Sequence, residues 1–436
     1  MQDTSIRIIQ LLKDAGHEAY WAGGCVRDTL LGKEPKDYDI VTSAKPDEIE
    51  DLLEKTIPIG KEFGVILVLE GDHEFEVATF RSDSGYSDGR RPDAVEFTHA
   101  EEDAQRRDFT INGLFYDPLT KEIHDFVEGK KDLKERLIRF IGDPHERILE
   151  DHLRIMRAIR FKNTLQFQYH PETYHALTTH AKLAGKVSGE RLRDELNKIL
   201  DSDHAEDALE DLLETGVLEE ILPEVYAMKG VAQPYQYHHE GDVWEHAKRS
   251  LSAIGKYEDI QVKWAAFLHD VGKPVTFVHA EDRIRFDHHA KEGAKLAHQI
   301  LRRLKFSRKD IDRITWVIEH HMMLGDFKDM PLGRQRHWFL HPYFKDLLAI
   351  FEADIAGTDP SDYGMYTEVL ELYKETLEKM PKEPDPLLSG HDVMEILGLR
   401  PGPHLGKILG ELRELHLGHE LNTKDQAIEW LKENHS

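Results

Sequence analysis

The stretch 21-WAGGCVRDTLLGKEPKDYDIV-41 sets two glycines and an arginine ahead of two aspartates that stand two positions apart in an apolar frame. On a strand, residues i and i+2 point to one face. A strand over 37-DYDIVT therefore makes Asp37 and Asp39 parallel carboxylates, with Tyr38 and Ile40 facing away. Two such carboxylates repel unless something positive lies between them. Mg²⁺ meets that need, because it prefers oxygen ligands and uses one or two carboxylates together with substrate phosphates. Gly23 and Gly24 let the backbone approach a triphosphate, which Arg27 can neutralise. Two-metal phosphoryl transfer also wants a third carboxylate on a neighbouring strand, and Glu76 between Phe75 and Val77 offers one that would help lower the pKa of an attacking hydroxyl. Taken singly, these features also describe an exposed strand end and a solvent-facing strand residue.

Outward from this stretch, residues 5–16 read as an amphipathic helix (Ile6, Ile8, Ile9, Leu11, Leu12) stopped by Gly16. Short strand-like runs follow at 18-EAYWAGG, 37-DYDIVT, 64-GVILVLE, 74-EFEVATF and 123-IHDF. They predict a small α/β head of mixed sheet that ends near residue 140. After residue 145 the pattern is helical, with one helix over 146–161 and another over 188–200. Residues 231–241 read as a loop or linker, a histidine-rich helical block runs to about 360, and Pro381, Pro384 and Pro386 mark a further boundary before a short helical tail.

A chain of 436 residues is too long for one compact core, and two to four domains are expected. Cys25 is the only cysteine, so an intramolecular disulfide and cysteine-rich zinc sites are excluded. No signal peptide and no apolar run near 18 residues is present, which predicts a cytoplasmic protein that does not enter the membrane. The formal charge of −26 argues against a basic footprint over the whole surface. Base is concentrated locally instead, in Arg154, Arg157, Arg160 and Lys162 and in Arg302, Arg303, Lys305, Arg308 and Lys309, where the alternative is a solvated helix face.

Five motifs in order, GGCVRD with DYD, FEVATFRSDSGYSDGRRPD, 106-RRDFTIN, 150-EDHLRIMRAIRF and 188-SGERLRDEL, resemble the nucleotidyltransferase superfamily of DNA polymerase beta. More narrowly, the sequence is similar to the class II tRNA nucleotidyltransferases, the CCA-adding enzymes, and to their bacterial poly(A) polymerase relatives. The resemblance implies Asp37 and Asp39 as Mg²⁺ ligands, Gly24 and Arg27 as triphosphate contacts, and Arg107, Asp108 and Asn112 as sugar and phosphate contacts. It also implies that Asp151 and Arg154 hydrogen-bond the edge of the incoming base. As i, i+3 neighbours on one helix they would offer an acceptor and a fork of donors that suit C or A but not G or U, with Arg157 and Arg160 continuing toward phosphates. The segment 81-RSDSGYSDGRRPD resembles the loop with which these enzymes switch from C to A. Bacterial poly(A) polymerases carry an extra arginine in the part matching 60-GKEFGVILV, whereas this chain has Lys61-Glu62-Phe63-Gly64. The implied reaction is addition of CCA to the tRNA acceptor end from CTP and ATP. Poly(A) or A-only addition is the alternative.

The histidine block holds His246 in 243-VWEHA, His269-Asp270 in 264-WAAFLHDVGKP, His289 in 286-FDHHAKEGA, His320-His321 in 317-VIEHHM and Asp354 in 352-EADIAG. Each belongs to its own helix, and a bundle can gather such residues in one place. The set resembles the HD-domain phosphohydrolases. That resemblance implies a divalent metal (Mg, Mn, Ni, Fe or Zn) on His246, His269, Asp270 and Asp354. His289 and His321, or His320 in place of His321, would take phosphate or a second metal, and Lys273 could bind phosphate. The expected substrates are 2′-phosphates, 2′,3′-cyclic phosphates or nucleotides, with hydrolysis as main activity a second alternative. His391-Asp392 reads as surface, and Lys407 and Arg413 in the tail either contact tRNA or pack against the block.

The expected fold is therefore α+β: a DNA polymerase beta-like head (1–140), an all-α neck and body (141–235), an HD domain (236–365) and a helical tail (366–436).

Overall fold

The computed structural model describes residues 1–436 apart from Ser87, Arg91, Tyr237, Lys256, Tyr257, Glu281, Asp282, Pro381, Lys382 and Ser436. The boundary expected at Pro381, Ser87 and Arg91 of the loop, and Tyr237 of the linker thus lie outside the described residues. The chain forms two compact units, Met1–Leu222 and Pro223–Ser436.

The first unit opens with the helix Gln2–Asp14, which buries Ile8, Ile9 and Leu12. Its sheet contains β1 (Ala19–Ala22), β2 (Ile40–Thr42), β3 (Thr56–Gly60), β4 (Val65–Glu70), β5 (His73–Thr79), β8 (Leu114–Asp117) and β9 (Glu122–Asp125), in the order β3-β4-β5-β2-β1-β8-β9. β2 and β5 run parallel and the other neighbours antiparallel, so the sheet is mixed as expected. β6 (Arg81–Ser84) and β7 (Ala94–Phe97) form a separate hairpin around the Gly/Ser/Asp-rich loop. Trp21, Ile40, Phe75, Val77, Phe80 and Phe115 are fully buried in the sheet's packing. β3 escaped the sequence reading because it is a mostly exposed edge strand carrying Pro58, a residue tolerated only at edges.

Two local expectations are corrected. Asp37 and Asp39 do not lie within a strand, because β2 covers only Ile40–Thr42. The preceding Lys33-Glu34-Pro35-Lys36 brings no apolar side chain to the sheet, and pairing starts at Ile40 opposite Trp21. The segment is still extended enough to alternate: Tyr38 is buried with its ring 4.7 Å from that of Trp21, Asp39 is half-buried and Asp37 exposed. Likewise, no single helix spans 146–161. The helix Pro144–Glu150 ends at Asp151, whose backbone is extended, and a second helix begins at Arg154 and runs to Leu165. Asp151 causes the break: its Oδ1 accepts the Leu153 N–H (3.1 Å) and its carbonyl accepts the Arg154 N–H (3.0 Å). Aspartate favours such a cap over helix interior. The helix expected at 188–200 is present as Gly189–Leu200.

The second unit is mostly helical, with one short antiparallel strand pair, Val278–His279 and Ile284–Arg285. Helices Val243–Ala253, Ile260–Leu268, His289–Arg303, Arg308–His320 and Phe344–Gly357 bury Trp244, Trp264, Phe267, Leu301, Ile314 and Phe344 between them. The tail helices Gly390–Leu397, Pro403–Leu417 and Lys424–His435 have their own core of Leu388, Val393, Ile408, Leu412, Ala427 and Leu431. Among the described residues, no helix is long and apolar enough to cross a membrane.

Candidate active site

In the first unit, the turn after β1, the segment before β2 and the two helices around Asp151 enclose a cleft of about 810 Å³. Gly23, Gly24, Arg27, Asp37, Asp39, Arg107, Asp108, Asn112, Asp151, Arg154, Arg157 and Arg160 all line it, and its basic side chains outnumber its acidic ones. The glycine requirement is sharpest at Gly23, where φ is +70° and a Cβ would lie 3.3 Å from Arg107 Nη1 and 3.8 Å from Asp39 Oδ2. The Asp39 carboxyl is pushed up to about 6 by burial, then by Asp37 and Glu76, while Arg107 pulls it down. Glu76 on β5 stands outside the cleft lining yet close enough to act on Asp39, since Ile40 pairs with Val77. A group of carboxylates so poorly compensated fits a divalent cation. Burial also pushes the Cys25 thiol up to about 12, with Asp39 adding to it, so this cysteine is an inert core residue.

The arginines are held by a buried network. Arg27 Nη1 donates to Asn112 Oδ1 (2.8 Å), Asn112 Nδ2 to Asp108 Oδ1 (3.1 Å) and Arg157 Nε to Asp108 Oδ2 (2.7 Å). Burial alone would raise the Asp108 carboxyl, but Arg157, Asn112 and the Phe109 amide hold it down to about 2. Arg107 is clamped by buried Asp103, and Arg160 by Glu195 (2.5 Å). The guanidinium carbons of Arg27, Arg157 and Arg160 lie 5.1, 5.2 and 4.0 Å from the centre of the Phe161 ring, which spaces the like charges.

At the helix break, Asp151 and Arg154 do not pair. Arg191 donates from Nη1 to Asp151 Oδ1 (2.9 Å) and from Nη2 to Oδ2 (2.8 Å). Arg154 donates from Nη1 to the Arg147 carbonyl (2.9 Å) and Glu150 (2.5 Å), and from Nη2 to the Arg106 carbonyl (3.3 Å). With five N–H groups on a guanidinium and about four lone-pair sites on a carboxylate, Arg154 keeps donors at Nε and Nη2 and Asp151 keeps acceptor capacity at Oδ2, among the described residues. The Gly/Ser/Asp-rich loop reaches this same break, where the Gly89 carbonyl accepts the His152 N–H (3.2 Å).

The second unit gathers all six expected histidines and aspartates. His246 Nε2 lies 2.8 Å from Asp354 Oδ1 and 3.3 Å from His269 Nε2, and His269 Nε2 lies 3.3 Å from Asp270 Oδ2. Asp270 Oδ1 faces His289 (3.5 Å) and His321 (3.9 Å), whose Nε2 atoms are 3.2 Å apart. Two ligand triads result, His246/His269/Asp354 and Asp270/His289/His321, and a third group, His238/Glu240/His246, adjoins the first. His269, His289 and His321 each turn Nδ1 to the carbonyl three residues earlier, at 2.8, 2.9 and 2.8 Å. A carbonyl only accepts, so Nδ1 carries a proton and Nε2 is the nitrogen turned inward. Imidazole nitrogens 3.2–3.3 Å apart beside buried Asp270 and half-buried Asp354 fit a divalent metal. His321 is held down to about 3 by burial and next by His269, whereas at His269 burial is outweighed by Asp270 and Asp354, which push it up to about 10.

Sequence profiles match along the chain: the Poly A polymerase head domain at 19–139, the RNA and SrmB-binding site of polymerase A at 166–228, the HD domain at 237–335 and tRNA nucleotidyltransferase domain 2 at 288–431. The CCA-adding enzyme of Levilactobacillus brevis is 48% identical over 214 residues, which span 48% of this chain and 53% of that protein. The CCA-adding enzyme of Lactobacillus helveticus is 32% identical over 423 residues, 97% of this chain and 94% of that one. This chain belongs to the CCA-adding enzyme family. Among solved structures, the Bacillus stearothermophilus CCA-adding enzyme in complex with CTP aligns over 99% of this chain and 96% of its own, at 26% identity and a TM-score of 0.73.

Other residues of this CCA-adding family member fall as follows. His321, not His320, joins the histidine site; His320 turns its ring to Trp316 (centroids 4.6 Å). Lys273 is buried and donates to Gln233 (2.7 Å) beside Asp270 Oδ2 (2.6 Å). Asp392 caps the helix Gly390–Leu397 with Ser389, in keeping with a surface role. Arg413 is taken up by Glu383 and the Pro384 carbonyl, whereas Lys407 is exposed. Sequence reasoning missed Arg191, Phe161, Asp103, Glu195 and Glu240. Arg191 and Glu195 lay inside the quoted SGERLRDEL, but nothing local says which acid or base each one meets.

Proposed function

We propose that this chain builds the CCA end of tRNA, adding C, C and A from CTP and ATP with release of pyrophosphate. In this reading residues 1–140 are the transferase head, 141–235 a neck and body that select the base and hold RNA, 236–365 an HD phosphohydrolase domain and 366–436 a tail. The observation that carries it is the meeting of Asp37 and Asp39 with Arg27, Arg107 and the Asp151–Arg154 break in one cleft. Mg²⁺ held by Asp37 and Asp39 would activate the tRNA 3′-hydroxyl and stabilise the pyrophosphate leaving group. Gly23 gives the triphosphate access to the backbone, Gly24 borders it, and Arg27, Arg107, Arg157 and Arg160 neutralise it. Asp108 and Asn112 hold these arginines in register. Glu76 supports the aspartates by its negative field at Asp39.

The remaining Asp151 acceptor and Arg154 donors match an exocyclic amine beside a ring-nitrogen acceptor, the pattern of C and of A. U and G present a carbonyl beside an N–H and would leave like groups opposed. The loop bonded to His152 sits where it can shift this pair between the two bases. The tRNA acceptor end, CTP and ATP are thus the proposed partners and the cytoplasm the proposed location. Asp39→Ala with Asp37→Ala tests the metal role, which is overturned if that variant still incorporates nucleotide.

For the second unit we propose hydrolysis of 2′-phosphate, 2′,3′-cyclic phosphate or nucleotide phosphate. The two histidine triads would hold one or two divalent ions (Mg, Mn, Ni, Fe or Zn) that supply activated water. Phosphate release unchanged in His269→Ala would overturn it.

A further inference from the structure

We infer that Glu240 is the positioning residue for His246, fixing its tautomer and tying it to the segment that carries Asp354. The inference rests on the proposed metal site of the second unit. Three of the four site histidines stand at helix ends, where a carbonyl of their own preceding turn is open to Nδ1: His269 follows Ile260–Leu268, His289 opens His289–Arg303 and His321 follows Arg308–His320. His246 instead lies inside Val243–Ala253, where the carbonyls of the preceding turn accept the helix's own amides. Its Nδ1 meets Glu240 Oε1 at 3.2 Å.

Glu240 has no exposed side-chain surface. Oε1 also takes His238 Nδ1 at 2.6 Å, and Oε2 accepts the Asp359 N–H at 2.9 Å. The His239 N–H returns the bond to the Asp359 carbonyl at 2.8 Å, two residues beyond the end of the helix Phe344–Gly357 that bears Asp354. Burying an acid here is costly without such partners, and a neutral residue could close the same turn. What the carboxylate adds is a strong acceptor for Nδ1–H. This keeps Nε2 turned toward Asp354 and His269, and makes that nitrogen a better donor once a metal takes the place of its proton.

The test uses full-length wild type, Glu240→Gln and Glu240→Ala. Imidazole ¹⁵N NMR of the Zn²⁺-loaded proteins should show His246 with Nδ1 protonated and Nε2 on the metal in wild type, and loss of that arrangement in Glu240→Ala. Mn²⁺ titration should show binding weakened by about 10–100-fold in Glu240→Ala, with partial recovery in Glu240→Gln, whose amide oxygen can still accept. Should Glu240→Ala fail to fold by circular dichroism, Glu240→Gln carries the test, with an intermediate loss expected. Metal on Nδ1 of His246 in the Zn²⁺-loaded wild type, or Mn²⁺ affinity in the folded variants within twofold of wild type, overturns the role of Glu240. Absence of Mn²⁺ binding in wild type overturns the metal site itself, which the NMR result distinguishes.

Discussion

At Asp39, burial, Asp37 and Glu76 all raise the carboxyl and Arg107 opposes them. Asp39→Asn should keep nucleotide binding, which the arginines supply, and lower single-turnover incorporation by about 10²–10³-fold, as rapid-quench assays with labelled CTP would show. Arg191 grips both oxygens of Asp151. Its replacement by Ala frees that carboxylate to turn, so kcat/KM for CTP and ATP should fall by about tenfold or more and misincorporation of UTP should rise. Asp108 makes the pH prediction. Its folded value of about 2 lies below the ordinary 3.8, so the unfolded chain binds the proton first as pH falls. The stabilisation, about 2 kcal/mol, is present above about pH 4 and lost toward pH 2. Denaturant melts of wild type and Asp108→Asn should differ at pH 7 and converge near pH 2. The placing of Asp37 and Asp39 in the cleft, the glycine turn and the gathering of the six histidines and aspartates were legible because each rests on residues adjacent in sequence or on a motif. Arg191 and Glu240 were not, since their partners lie far along the chain or across a turn with no periodic signal.

At the level of elements, the break at Asp151–Leu153 separates this site from a plain amphipathic helix. Apolar spacing over 146–161 continues through the break and predicted one helix. The aspartate's capping bonds interrupt it, and only the acid's chemistry, not its hydrophobic period, announces the turn. The same effect shortened the strand before Ile40, where charged residues leave the aspartates beside the sheet and still facing the cleft. The loop docks on this break at Gly89, where φ is +65° and a Cβ would meet the His152 ring at 2.6 Å. Gly89→Ala should therefore displace the loop and slow addition of the final A several-fold more than addition of the two Cs, measured on transcripts ending in CC and in no C.

Over the whole molecule, the net charge of −26 and the basic lining of the cleft describe a polyanion site on an acidic protein. Binding of tRNA should then depend steeply on salt. A slope of about −3 in log K against log salt, about 60-fold between 50 and 200 mM, is expected, and filter binding across that range measures it. The central claim is that one cleft adds C, C and A to tRNA and nothing more. Its most direct test offers the purified chain tRNA transcripts ending before CCA, after C and after CC, each with CTP, ATP or both, resolved on sequencing gels. The account predicts two additions with CTP on the first transcript, one A with ATP only after CC, and a stop at CCA. A ladder of A residues on any RNA, or A added before both Cs are in place, would contradict it.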